Sequence, residues 1–197
     1  MRLLSFAMGV KMDPSMVYSD DPIDQSLFST LVKQLKTTPL DSISVTSLSR
    51  EAHVSRAEFY RRYADKYDLL NSAYERILND TLFTVNSGAS WREAVWLIYA
   101  VIGTNAEFFR AAFESKDRNS LHNFIFERTL KLESEILASH SVDVEDPLVS
   151  YRLRAYVAGG GLQLTIDWVR EGANMPLDDL VNILVEMVPQ PFRPYFS

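Results

Sequence analysis

Residues 45–63 read VTSLSREAHVSRAEFYRRY, and the fold turns on how this stretch is parsed. Val45, Leu48 and Ala52 recur at i, i+3 and i+7, one apolar stripe of a short helix. Ser44 precedes the stripe as an N-cap, a hydroxyl able to accept from an unpaired backbone N–H. The first helix is expected to stop at His53, Val54 and Ser55. Ser55 caps a second short helix with Glu58 three residues on, so Ser-x-x-Glu predicts a capping box in which two backbone donors are satisfied reciprocally. Phe59 is the expected core anchor of that helix, with Arg56, Ala57, Tyr60 and Arg61 facing outward. For Arg61 and Arg62 the bland reading is a solvated face, weighted more heavily for Arg62, and Tyr63 is expected in the core. Two short helices on a tight turn, the second bearing arginine and tyrosine, have the shape of a motif that enters a DNA groove.

The spacing Val54-Ser55-x-x-x-Phe59-Tyr60-x-x-Tyr63-x-x-Lys66-x-x-Leu69-Leu70 resembles the signature of the TetR family of regulators, V-S-x-x-x-L/F-Y-x-x-F-x-x-K-x-x-L-L. The resemblance extends over residues 23–82 and departs from the family pattern at two positions. His53 stands where the family has Gly, in a turn that asks for a left-handed backbone, which His tolerates better than most side chains. Glu58 stands where the family has a small residue or Thr, and an acid on a reading helix repels phosphate unless it caps or accepts from a cytosine amino group. Carried over by matching position, the resemblance implies DNA contacts from Thr46, Arg56, Ala57, Tyr60 and Lys66, with Tyr60 and Lys66 at phosphates; Ser55, Glu58 and Arg61 complete the candidate DNA-binding set. More weakly, residues 151–172, with Trp168 and Gly172 as W-x-x-x-G, resemble the branch that includes regulators of dihydroxyacetone-kinase operons. TetR-like proteins mostly repress, so a repressor is the first expectation, although that branch includes activators.

The chain has 197 residues, 47% of them hydrophobic, enough to bury a core. With no Cys, disulfides and Cys-ligated zinc are excluded, which suits a cytoplasmic protein. The longest uncharged apolar run, residues 94–106, is shorter than the ~20 residues that span a bilayer, so no membrane partner is expected. The net charge of −6 is unevenly placed: residues 24–82 carry 8 basic and 8 acidic side chains, residues 83–197 carry 10 and 15. A local basic face, rather than a basic protein, is what phosphate binding requires, and DNA binding here should be weak without sequence match and steeply salt-dependent.

Read in order, the pattern predicts an all-α protein. Residues 1–21 are an N-terminal arm without sustained period. Residues 22–82 form a helix-turn-helix domain with its linking helix, residues 83–188 a helical regulatory and dimerisation domain, and residues 189–197 an extended tail. Asp21-Pro22 starts a first helix whose face holds Ile23, Leu27, Leu31 and Leu35, with Phe28 and Val32 beside them. Asp65 caps a fourth helix burying Leu69, Leu70, Ala73, Ile77 and Leu78 and running to about Phe83. Helices follow over residues 91–105, 106–115, 120–139, 147–171 and 177–188, with Leu121, Phe124, Ile125, Leu132, Ile136 and Leu137 facing inward on the 120–139 helix. Gly159-Gly160-Gly161 interrupts the 147–171 run, and each Gly costs about 1 kcal/mol against Ala in a helix. Close packing, at a dimer seam or against the central helix, is the favoured reason; a kink or break is the other.

Two sites are expected in the C-terminal part. Trp96, Tyr99, Phe109, Phe113, Phe126 and Tyr156, with His122 as a polar anchor, are candidate walls of a pocket for a small-molecule effector, against the alternative that they are simple core. Gly160, Leu162, Ile166, Val169, Leu180, Leu184 and Met187 are candidates for a homodimer interface in which two helices per subunit form a four-helix seam. An enzyme is not expected. The three His include no pair at metal-ligand spacing, and no G-x-S-x-G, phosphate-loop or dinucleotide glycine pattern occurs, so neither a metal nor a cofactor is called for. The expected function is a regulator that binds palindromic double-stranded DNA as a homodimer. The rival is a helical adaptor that kept the fold without binding DNA.

Overall fold

A computed structural model of the chain describes residues 21–86, 88 and 90–196, and among these every regular element is helical. Residues 1–20, most of the expected arm, lie outside the described residues, as does Ser197.

Helix α1 (Pro22–Leu35) begins as its sequence dictates. Asp21 accepts from the N–H of Ile23 at 2.8 Å, and proline occupies the first turn, where no N–H is needed. Leu27, Phe28, Leu31 and Leu35 form its buried face. A short 3-10 turn (Leu40–Ser42) leads to α2 (Val45–Glu51), α3 (Arg56–Arg62) and the long α4 (Lys66–Asn86). Ser44 caps α2 by accepting from the Ser47 N–H, and Asp65 caps α4 by accepting from the N–H groups of Tyr67 and Asp68. Leu69, Leu70, Ala73, Tyr74, Ile77 and Leu78 are the buried side of α4, which runs a turn or so further than the sequence predicted.

The body consists of α5 (Trp91–Thr104), α6 (Ala106–Phe113), α7 (Leu121–Ser139), α8 (Pro147–Ala155), a π-helical stretch (Tyr156–Gln163), α9 (Leu164–Arg170) and α10 (Leu177–Glu186). α5 packs against α4 on one side and α10 on the other, and α6 packs against α1 and α9. One apolar core therefore runs continuously from Leu27 through Ile77 and Val101 to Leu184. A Cβ on Gly103 of α5 would stand 2.6 Å from Trp168 Cη2, so glycine is what lets the Trp168 ring lie against that helix.

The structure corrects three expectations. The glycine triplet neither breaks the helix nor packs as a unit: it widens one helical run into π turns. Only Gly160 is closely approached, with a Cβ there 3.0 Å from Met187 Cε of the same chain, while Gly159 and Gly161 face open space. The tail is not extended. Phe192 and Phe196 fold back onto Leu137, Leu153, Val157 and Val188, with Trp91 against Phe196 at 4.9 Å between ring centroids, because two phenylalanines within five residues have more to gain from burial than the prolines prevent. The third concerns the dimer residues. Leu162, Ile166, Val169, Leu180 and Leu184 are buried within their own subunit, as is Gly160, so only Met187 of that set is exposed. Helical period reports burial but not which chain supplies the neighbour.

Candidate nucleic-acid interface and central cavity

The turn between α2 and α3 has the geometry its sequence asks for. His53 adopts φ of +56°, the left-handed conformation for which the family has Gly. The Val54 N–H then reaches the Ser49 carbonyl at 2.9 Å and the His53 N–H the Arg50 carbonyl at 3.3 Å, which closes the end of α2. Ser55 Oγ accepts from the Glu58 N–H at 3.1 Å and starts α3. The helix pair is braced by α1, where Ser26 donates to the Ala52 carbonyl and Gln34 to Ser47 Oγ. Phe59 and Tyr63 are buried, as expected, and Phe59 alone removes a whole aromatic ring from water, stabilising the pair by about 2–3 kcal/mol.

Thr46, Ser55, Arg56, Ala57, Tyr60 and Arg61 are exposed on the outer side of this pair. Tyr60 is 50% exposed, and Arg56 Cζ lies 5.8 Å from its ring centroid, a cation-over-ring arrangement that holds the guanidinium at the head of α3. Arg56 makes no ion pair among the described residues.

Glu58 and Arg62 depart from the sequence reading, and Lys66 gains a structural role. The reciprocal half of the Ser55–Glu58 capping box is not made, because the Glu58 carboxylate turns to Arg61 and to Arg62 Nε, the latter at 2.8 Å. These two guanidinium groups hold the Glu58 carboxyl below its ordinary pKa. Arg62 is not on a solvated face. Its side chain is 22% exposed and reaches from α3 to Asp21 at 2.9 Å and Asp24 at 3.0 Å on α1. Lys66 Nζ donates at 2.7 Å to the carbonyls of both Asp41 and Ile43, and burial lowers its pKa. Lys66 thus anchors the 3-10 turn to α4, with one N–H left for another acceptor.

Asp41 joins this head to the body. Its carboxylate accepts from Tyr67 OH at 2.9 Å and from Ser115 Oγ, just past α6. The Ser115 hydroxyl is the first cause that holds the Asp41 carboxyl below its ordinary pKa. Asn119 adds a second link, donating to Asp65 at 3.2 Å while its carbonyl accepts from Asn71.

A cavity of about 90 Å³ lies inside the body, walled by α4, α5, α7, the π-helical stretch, α9 and α10. Tyr99 and Tyr156 line it, as the sequence suggested. Trp96, Phe109, Phe113, His122 and Phe126 do not. Phe109 and Phe113 are core, Trp96 and Phe126 pack against it, and His122 Nδ1 lies 3.0 Å from Asn123 Oδ1 at the surface. The wall instead adds Tyr74 and Leu78 from α4, Trp91, Thr129, Glu133 and Thr165. Tyr99 OH lies 2.6 Å from Thr165 Oγ1, whose hydroxyl donates to the Gly161 carbonyl at 2.6 Å. Glu133 is 3% exposed, and burial alone raises its carboxyl pKa to about 8. Its position was legible: Leu121, Ile125, Thr129, Glu133 and Leu137 form one i, i+4 row of α7, so an acid on that row faces inward.

Among the described residues no cluster of His, Cys, Asp and Glu could hold a metal ion, and no helix is long and apolar enough to cross a membrane. Residues 89–190 match the family model TetR_C_8, described as "Transcriptional regulator C-terminal region". The fold is similar to that of a solved structure titled "Dihydroxyacetone kinase operon activator DhaS", at 18% identity and a TM-score of 0.58, covering 89% of this chain and 98% of that one. No curated protein matches the sequence.

Proposed function

The chain belongs to the TetR family of transcriptional regulators, and from that premise we propose that it binds palindromic double-stranded DNA as a homodimer and responds to a small molecule in the central cavity. It is a regulator of transcription and not an enzyme. The observation that carries the DNA reading is the open head of α3, where Arg56 stands exposed beside Tyr60 and makes no ion pair among the described residues. A helix of this width enters the major groove, and Arg56 bidentate to a guanine is worth about 1–3 kcal/mol of discrimination. Thr46, Ser55, Ala57 and Tyr60 supply short contacts around it, with Lys66 at a phosphate through its remaining N–H.

One α3 covers only a few base pairs, so a second copy is needed to read half-sites one helical turn apart. Leu148 and Tyr151 on α8 are exposed, as are Ile183 on α10 and Met187 just past it, Tyr151 by 75%. These side chains, with Gly159, replace the buried set as the candidate seam. Tyr74 and Leu78 place α4 in the cavity wall. A ligand there presses on the helix that carries α3, and a pivot of α4 changes the spacing of the two readers.

Fluorescence anisotropy on the DNA upstream of the protein's own gene tests the reading. Binding is expected at low salt, falling steeply as salt rises, and lost in Arg56→Ala combined with Tyr60→Phe. No binding at low salt, with or without cavity ligands, makes the chain a helical adaptor instead.

A further inference from the structure

Two residues of the cavity wall each carry an unmatched polar atom. Glu133 Oε2 and Trp91 Nε1 are each buried without a hydrogen-bond partner, and Glu133 makes no ion pair among the described residues. Tyr99, Thr165 and the Gly161 carbonyl satisfy one another, so the unmet demand is specific: a donor, preferably charged, for a carboxylate, and an acceptor for an indole N–H. Buried polar groups in native proteins are nearly always paired, and an orphan carboxyl in an apolar wall is costly. Tyr74, Tyr99, Tyr156 and Trp91 share that wall, and aromatic rings attract a cation placed over their faces. A cavity of about 90 Å³ suits a small ligand.

We propose that the cavity binds a small amino alcohol as its ammonium ion, with Glu133 as counter-ion and Trp91 Nε1 donating to the hydroxyl oxygen. The assignment rests on the reading of this cavity as the effector site. The other titratable groups on the wall are phenols, Tyr74 of α4, Tyr99 of α5 and Tyr156 of the π-helical stretch. Nearby cations do not compete: Arg128 of α7 is paired with Glu75 at 2.9 Å, and Arg152 and Arg154 of α8 are exposed. Burial holds Glu133 protonated at neutral pH. Binding an ammonium ion expels that proton, so affinity rises with pH up to about 8 and falls once the amine itself loses its proton, near pH 10.

The test is calorimetric titration of the full chain with 3-amino-1-propanol, n-butylamine, 1,3-propanediol and tetramethylammonium. Amino alcohol is expected to bind best, n-butylamine more weakly, and the diol and the quaternary ion, which lacks an N–H for the carboxylate, least. Glu133→Gln, which keeps shape and removes charge, should weaken amino alcohol by roughly tenfold or more, and Trp91→Phe should remove the preference over n-butylamine. Equal binding of the diol, unchanged affinity in Glu133→Gln, or no binding of any probe overturns the proposal. DNA anisotropy separates it from the effector reading. Glu133-dependent binding that leaves DNA affinity unchanged sinks the effector reading alone. Release of DNA by a neutral compound that binds in this cavity, with no binding of the amino alcohol, sinks the amine assignment alone.

Discussion

Arg62 Nη1 stands 3.0 Å from Asp24 Oδ1, and through it α3 is fastened to α1 by a guanidinium that also meets Asp21 and Glu58. Arg61, next along the chain, meets only Glu58 among the described residues and lies mostly in solvent. The neighbours should therefore separate on mutation. Arg62→Met is expected to lower the melting temperature by several degrees, Arg61→Met hardly at all. Equal losses in thermal unfolding of the two variants would deny Arg62 its role as the strap.

Glu58 sets the charge of α3, because its carboxylate answers Arg61 and Arg62 together. Arg62 keeps its α1 partners when Glu58 is removed, whereas Arg61 is released. Glu58→Ala should strengthen non-specific DNA binding and steepen the slope of log affinity against log salt by about one, the signature of one more phosphate contact. A salt series by anisotropy measures it; an unchanged slope means Arg61 does not reach DNA.

What could be read in the sequence was what depends on near neighbours. Asp21, Ser44 and Ser55 each accept from N–H groups within three residues, so their side chains announce the helix starts. The i, i+4 rows of α1 and α4 likewise show which faces are buried. What lies against a buried face depends on the whole fold. Leu162, Ile166 and Val169 carry the pattern of a dimer seam, yet the neighbours that bury them belong to their own subunit. Glu58 failed for a related reason: a capping box is a local motif, and two arginines within four residues outcompeted the backbone N–H for the carboxylate.

His53 holds a left-handed backbone at φ of +56° with a side chain that the turn does not bury. Relief of that strain outweighs the extra freedom that glycine gains in the unfolded chain. His53→Gly should stabilise the protein by about 0.5–1 kcal/mol, and His53→Val, β-branched in the same conformation, should destabilise it by more than that. Chemical denaturation of both variants measures the two shifts, and a loss of stability in the glycine variant would contradict the strain.

Asp41 and Ser115 bond across the junction of head and body, and Tyr67 joins the same carboxylate. Since the hydroxyl is buried and the acceptor charged, a double-mutant cycle with Asp41→Asn and Ser115→Ala should return a coupling of about 1 kcal/mol. The single variants should also loosen the head, seen as faster amide exchange in α2 and α3 than in α7. Additive effects with unchanged exchange would place the latch elsewhere, at Asn119 and Asp65.

Glu133 makes stability depend on pH in an unusual sense for a carboxyl. Its ordinary pKa of 4.5 applies to the unfolded chain, and burial raises it to about 8 in the folded one. Between those values the folded protein keeps a proton that the unfolded chain has released. Stability therefore falls as pH rises through the window and levels off above it, the reverse of a salt-bridged acid. The loss attributable to this group is on the order of a few kcal/mol. Glu133→Gln has nothing to titrate, so the difference in unfolding free energy between variant and parent should widen in the variant's favour from about pH 5 to about pH 8. A constant difference across that range would mean that the carboxyl reaches water or a partner in solution, and the cavity would then lack the orphan acid on which its ligand chemistry depends.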